Sequence, residues 1–257
     1  MAKVKVDERG PITIVTLNRP EVHNCVDAET ADLLTEAFEA FSSSSDARVL
    51  VVTGTGSRAF CSGADLKAAG ELVTRPDARR TGPMGFAHIV TDKPSIAAIE
   101  GYCFAGGLEL AAWADVRIAG RTAEFGALNR RWGVPFVDGG TQRLPRIVGL
   151  GHALYLILSG ARLDAEQALR MGLVDEIVDA GRALDRALEL AEAIEAYPQA
   201  SLRADRRSAL EALGRPLLEG LGAEIERGYE SLGDPALAEG LARFGAGERP
   251  ESPRPGG

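Results

Sequence analysis

The apolar positions of the chain follow a strand-like pattern up to about residue 180 and a helical pattern after it. Apolar runs at residues 3–7 and 12–17 flank a turn and predict an opening hairpin. Residues 49–52 are apolar throughout, which is typical of a parallel strand buried on both faces. Short runs at 95–99 and 116–119, and a last one at 173–178, predict further strands.

Helix signals separate these strands. Asp27 is a suitable N-cap for a helix with an apolar face, and Asp164 with Gln167 forms a capping box. Apolar residues at helical spacing predict another helix over 150–158. Residues 71–85 are polar and rich in proline and glycine, so we expect a mobile loop there, of the kind that can cover a site.

These patterns predict an α/β fold with two regions. Residues 1–180 are the α/β core, and residues 181–257 are a C-terminal helical region. The helical region ends in a tail rich in glycine, proline and charge over 245–257, which we expect to be frayed.

Composition narrows the classes of function. The 257 residues are 45% hydrophobic and 26% charged with a net charge of −8, which argues against nonspecific nucleic-acid binding but leaves an anionic ligand possible. Three cysteines without a CxxC pair favour a reduced, cytoplasmic location. No apolar run has the length of a signal peptide or a membrane span. The three histidines are far apart in sequence, so we expect no metal site.

One strand–turn–helix stretch carries the chemistry. The run at 95–99 leads into Ala105-Gly106-Gly107, where two glycines can bring backbone N–H groups up to a ligand at the start of a helix. Glu109 lies about one turn into that helix and its side chain tilts back toward the helix start. The stretch therefore offers a carboxylate beside an oxyanion-binding amide, or else a plain turn with one acid in solvent.

Several motifs together resemble the crotonase, or enoyl-CoA hydratase/isomerase, superfamily. They occur in the family's order and span about residues 10–180. The matching pieces are Asn18-Arg19-Pro20, Phe60-Cys61-Ser62-Gly63-Ala64-Asp65-Leu66-Lys67, the stretch 93–117, Gly139-Gly140-Thr141-Gln142-Arg143-Leu144-Pro145 and Gly172-Leu173-Val174-Asp175.

The resemblance implies a crotonase-type spiral of ββα units followed by a helical region that packs between subunits. It implies a homotrimer or a dimer of trimers, and an acyl-CoA thioester as substrate, as in fatty acid metabolism. Coenzyme A would enter only as part of the substrate, without a further cofactor, nucleic acid or membrane as partner.

Residue by residue, the resemblance assigns the oxyanion hole to the N–H groups of Ala64 and Gly106. It makes Glu109 a catalytic acid/base, but the family's second catalytic glutamate falls on Asn129, which cannot exchange a proton near pH 7. Asp138, in the loop where other branches of the superfamily carry an acid, either replaces that partner or caps the turn at Gly139-Gly140. Substrate-binding roles fall on Ser62, Asp65, Leu66, Asn129 and Trp132, although Trp132 could equally belong to the core.

We therefore expect an enoyl-CoA hydratase-type lyase that works through an enolate held in the oxyanion hole. Three alternatives stay open: an enoyl-CoA isomerase, an acyl-CoA hydrolase that uses Asp138, or a CoA-binding subunit with little catalysis. Cys61 beside the oxyanion loop is a candidate nucleophile, but a small buried side chain is the more ordinary role for it.

Overall fold

A computed structural model describes residues 2–249 and 252–253 of the chain. Residues 250–251 and 254–257, in the tail that we expected to be frayed, lie outside the described residues. The strands are β1 (Val4–Arg9), β2 (Ile12–Leu17), β3 (Val49–Gly54), β4 (Ala59–Cys61), β5 (Ser95–Ile99), β6 (Tyr102–Phe104), β7 (Val116–Gly120), β8 (Glu124–Gly126), β9 (Arg162–Asp164) and β10 (Glu176–Val178). The α-helices are α1 (Ala28–Ser43), α2 (Ala69–Thr74), α3 (Ala78–Thr81), α4 (Gly106–Trp113), α5 (Gly140–Ser159), α6 (Ala165–Arg170), α7 (Ala183–Glu195), α8 (Gln199–Ala212), α9 (Leu217–Leu232) and α10 (Pro235–Gly245).

Two sheets make up the α/β core, which confirms the predicted fold class. The larger has six strands in the order β1-β2-β3-β5-β7-β10, antiparallel at the β1–β2 hairpin and parallel elsewhere. The smaller has four strands in the order β4-β6-β8-β9, of which the first three are parallel. The opening hairpin and the buried parallel strand β3 are as predicted.

The apolar core lies on both faces of the larger sheet because side chains alternate along each strand. In β3, Leu50 and Val52 face the cluster that includes α1 and α4, whereas Val49 and Val51 face a second cluster. Helix α7 closes that second face with Ala183, Ala187, Leu188 and Ala191. Helix α7, although it lies after residue 180, is therefore part of the core.

Local sequence signals explain where several helices begin. Asp27 accepts a hydrogen bond from the Thr30 N–H at the start of α1, and Asp164 with Gln167 forms the predicted capping box of α6. α5 is longer than predicted because it begins at Gly140, and it bends at Gly149 (φ 75°, ψ 157°).

Two predictions of local structure are wrong. Residues 71–85 are not a simple loop: they contain the end of α2 and all of α3, and residues 72, 75, 78, 81, 82, 84 and 85 are buried. The last strand covers only Glu176–Val178 instead of 173–178. The short strand β6, between β5 and α4, was also missed. Among the described residues, none of the helices combines the length and apolar character that crossing a bilayer requires.

A buried lysine ties the end of α1 to the larger sheet. Lys93 is 3% exposed, and its Nζ donates to the carbonyls of Phe41 (2.7 Å) and Ser44. The last carbonyls of a helix lack partners within the helix, so a cation here satisfies them. Burial lowers the pKa of Lys93.

Lys93→Met tests this contact, because it keeps most of the apolar stem and removes both hydrogen bonds. The free energy of unfolding in urea should fall by about 2 kcal/mol, since two buried carbonyls lose a charged donor. The matched control is Lys5→Met, on the exposed side of β1, which should change it little. Equal effects of the two substitutions would contradict the proposed role of Lys93.

Candidate active site

The candidate site lies at one edge of the smaller sheet. Strands β4, β6 and β8 are parallel neighbours, so their carboxyl ends meet at this edge. The turn with Ala64 follows β4, the turn with Gly106 follows β6, and Asn129 follows β8 in a 3-10 helix (Leu128–Trp132). Ligands in open parallel sheets bind at this end of the strands.

The N–H group of Ala64 is free because of an isolated parallel bridge with Val26. The Val26 N–H donates to Gly63 O (2.9 Å), and the Asp65 N–H donates to Val26 O (2.8 Å). In such a bridge the middle residue directs its own N–H away from the partner. None of the described residues accepts a hydrogen bond from Ala64.

Gly106 supplies a second free amide next to it. Gly106 is the first residue of α4, and among the described residues its N–H has no acceptor, as expected at a helix start. Ala105 before it has φ 52° and ψ −120°, a conformation that costs a non-glycine residue about 1–3 kcal/mol. A Cβ atom on Gly63 would lie 2.8 Å from Gly106 N, so only glycine lets the two turns approach this closely.

Glu109 is buried and oriented by the start of α5. The side chain is on α4 and the residue is 3% exposed. Its Oε1 accepts hydrogen bonds from the N–H groups of Asp138 (2.9 Å) and Gly140 (2.8 Å). No described donor reaches Oε2, which leaves that oxygen to hold or release a proton.

Asp138 is brought into the same buried cluster. It is 2% exposed, and its Oδ1 accepts the N–H of Met84 (3.0 Å) rather than an N–H of its own turn. The predicted alternative, capping of the turn at Gly139-Gly140, is therefore not what the carboxylate does. The Gly140 N–H goes to Glu109 instead.

The two acids differ in their affinity for protons. Burial raises the pKa of Glu109 to about 8, and the negative charge of Asp138 adds to the effect. Burial raises the pKa of Asp138 to about 6, opposed by the Met84 N–H and by the charges of Arg75 and Arg143. Glu109 is therefore the weaker acid of the two and Asp138 the stronger, which is a suitable arrangement for a proton donor and a base.

Asn129 offers a free acceptor at the position where the family pattern has a glutamate. The residue is 6% exposed, and its Nδ2 donates to Val134 O (2.8 Å). Its Oδ1 is buried without a partner among the described residues. Buried amide oxygens normally have a donor, so this atom is suited to a water or a ligand hydroxyl.

The other predicted residues lie outside this cluster. The Asp65 carboxylate accepts hydrogen bonds from Arg19 Nη2 (3.1 Å) and from the Lys67 N–H. The Ser62 N–H donates to His23 O. Leu66 is 48% and Trp132 71% exposed, so the core role considered for Trp132 is wrong.

Cys61 is fully buried, and burial raises the pKa of its thiol well above the usual range. A nucleophilic cysteine needs a lowered pKa and access to substrate, so this environment favours a packing role. Within the described part of the chain, no group of three or more His, Cys, Asp or Glu residues could hold a metal ion.

Sequence reasoning missed Met84. Its sulfur packs against the turn with Gly106, 2.1 Å from where a Cβ on Gly106 would lie, and its N–H donates to Asp138 Oδ1. The only available signal was its position in the segment expected to cover a site.

Comparisons with known proteins identify the family of the sequence and of the fold. Residues 7–250 match the family described as Enoyl-CoA hydratase/isomerase. Carnitinyl-CoA dehydratase of Salmonella paratyphi A is 40% identical over 187 residues, covering 71% of this chain and 70% of the relative. (E)-benzylidenesuccinyl-CoA hydratase of Thauera aromatica is 36% identical, covering 85% and 86%. The crystal structure of an enoyl-CoA hydratase from Mycobacterium tuberculosis H37Rv matches with a TM-score of 0.89 and 34% identity, covering 97% and 98%.

Glu109→Gln should stabilise the protein, and increasingly so with rising pH. The folded-state pKa of Glu109, about 8, lies above its ordinary value of 4.5, so folding favours the protonated acid. Stability from this group is complete below pH 4.5 and is lost as pH rises toward 8, at up to about 1.4 kcal/mol per pH unit. Glutamine is neutral at every pH, so the Glu109→Gln variant does not lose this stability as the pH rises.

Urea unfolding at pH 5, 7 and 8.5 measures this difference. The difference in free energy of unfolding between Glu109→Gln and wild type should grow from pH 5 to pH 8.5. The control Glu8→Gln, on the exposed face of β1, should show no such trend. A constant difference across the three pH values would show that Glu109 titrates normally.

Proposed function

Because this chain belongs to the enoyl-CoA hydratase/isomerase family, we propose that it is a hydratase-type lyase acting on an acyl-CoA thioester. The relatives named a dehydratase and a hydratase are both named for CoA thioesters, which supports this reaction class. The observation that carries the proposal is a pair of buried carboxyl groups, Glu109 and Asp138, beside two backbone amides without acceptors among the described residues.

The amides of Ala64 and Gly106 bind the thioester carbonyl oxygen in this proposal. As water adds to the C2=C3 bond, negative charge develops on that oxygen, and two preorganised donors stabilise it by roughly 3 kcal/mol each. Their convergence to about 3 Å from one oxygen remains a prediction.

The two acids divide the proton transfers. Ionised Asp138 takes a proton from water as its oxygen bonds to C3, and protonated Glu109 gives its proton to C2. A proton passing from Asp138 to Glu109 then restores the starting state, so that one water is added in total. Asn129 Oδ1 holds the attacking water or the product hydroxyl, a role supported by its lack of a protein partner.

Isomerisation is the second candidate, and Asn129 favours it. With an amide at the family's second glutamate position, Glu109 could act alone and move one proton between two carbons. Hydration, isomerisation and thioester hydrolysis can be separated by incubating the enzyme with crotonyl-CoA and a 3-enoyl-CoA and identifying the products. Tight binding without turnover would point to a CoA-binding subunit.

The helices after α7 support a proposal about assembly. The α9 residues Leu217, Leu218 and Tyr229 and the α10 residues Leu241 and Phe244 are each at least 63% exposed. Apolar surface of this extent is typical of an interface. We therefore propose residues 181–257, apart from the core helix α7, as an oligomerisation region. The three free cysteines support a cytoplasmic location.

Asp138→Asn should reduce the turnover of crotonyl-CoA by about 10²-fold or more, the scale for a lost acid–base group. Acyl-CoA affinity should stay nearly intact because the amides of Ala64 and Gly106 are untouched. Stopped-flow hydration and a separate binding titration measure the two effects. Glu124→Gln, which alters another acid of the same region on β8, is the control and should keep full turnover. Full activity in Asp138→Asn would remove Asp138 from the mechanism and move isomerisation ahead of hydration.

Sedimentation at micromolar concentration should give a trimer or a hexamer. The reason is that isolated subunits would leave the apolar faces of α9 and α10 in water. Replacing Leu218 and Phe244 by Ser should weaken the assembly, and a stable wild-type monomer would contradict it.

A further inference from the structure

Arg75, just after α2, is a buried cation that the mechanism above does not use. Its side chain is 2% exposed. Nη1 pairs with Asp32 Oδ1 at 2.7 Å, and Nη2 donates to Thr81 Oγ1 (2.7 Å) and to Gly82 O (2.8 Å). Its Nε is buried without a partner among the described residues.

The backbone that Arg75 holds lies directly against Asp138. A Cβ atom on Gly82 would lie 2.3 Å from Asp138 Oδ1, and two residues later the Met84 N–H bonds the same oxygen. The guanidinium therefore fixes the backbone that packs against the Asp138 carboxylate.

Charge balance points the same way. The acid partner of Arg75, Asp32, is 53% exposed, so water screens much of its charge. A buried cation is stable only when it is compensated, and the nearby carboxylate of Asp138 supplies further compensation.

We propose that Arg75 is a positioning residue that keeps Asp138 ionised and aimed at the reacting water. The proposal rests on the proposed function, since it assigns Arg75 to the base of that reaction. The charged groups around Asp138 are Glu109 on α4, Arg143 on α5, Arg75 and the exposed His88. Arg143 differs from Arg75 because it bonds the main-chain carbonyls of Asp138 and Ala87.

The experiment compares Arg75→Met, Arg75→Lys and Asp32→Asn. Losing a nearby cation raises the pKa of a carboxylate, so Arg75→Met should move the acid limb of kcat/KM upward by about one pH unit. With this shift, kcat/KM should fall by about fivefold at pH 6 and change little at pH 8. Arg75→Lys keeps the charge and should recover most of the shift, and Asp32→Asn should leave the limb in place.

A direct titration separates this inference from the proposed function. In protein labelled with ¹³C at aspartate carboxyls, the resonance missing from Asp138→Asn identifies Asp138, and its pH titration is followed in each Arg75 variant. An upward shift in Arg75→Met that Arg75→Lys reverses supports the role of Arg75, whatever the turnover. An unchanged titration overturns it, and full turnover by Asp138→Asn would contradict the proposed function alone. If Arg75→Met does not fold, Arg75→Gln removes the charge while keeping two N–H donors and gives the same test.

Discussion

Burying two carboxyl groups beside each other is the constraint on which the rest of the site depends. Each needs donors, and each takes them from a different segment: Glu109 from the start of α5, and Asp138 from Met84. Removing any one segment would leave a buried acid without its hydrogen bonds, at a cost of several kcal/mol. The acids therefore hold α4, α5 and the segment before β5 together, and the different charges and N–H groups around each acid separate their proton affinities.

Close approach of backbones is the second requirement, and small residues meet it. A Cβ on Gly107 would lie 2.0 Å from Cys61 O, and one on Gly140 would lie 2.9 Å from Glu109 Cγ. Larger residues would push β4, α4 and α5 apart and separate the two free amides. The strained Ala105 shows that the turn is held by its surroundings rather than by its own preference.

The apolar core of the larger sheet supports this edge. Apolar side chains on both faces of the larger sheet anchor β5 and β7 on either side of the stretch that carries Glu109. Helix α7 seals one face, so the core extends past residue 180, whereas the helices after it leave large apolar side chains exposed. The proposed catalytic site and the proposed assembly surface thus lie on different parts of one fold.

The sequence by itself determined the α/β class, the hairpin, the helix caps and the glycine-flanked turn before Glu109, because each depends on residues close together in the chain. It also indicated the family, since the motifs that resemble the family are short runs of consecutive residues. Only the tertiary structure decided that the Asp138 carboxylate accepts the Met84 N–H and that the Glu109 carboxylate accepts the Gly140 N–H. It also decided that residues 71–85 pack around the buried side chain of Arg75. These contacts join residues 7 to 54 positions apart through buried hydrogen bonds, whose strength comes from the exclusion of water, and no local pattern encodes that burial.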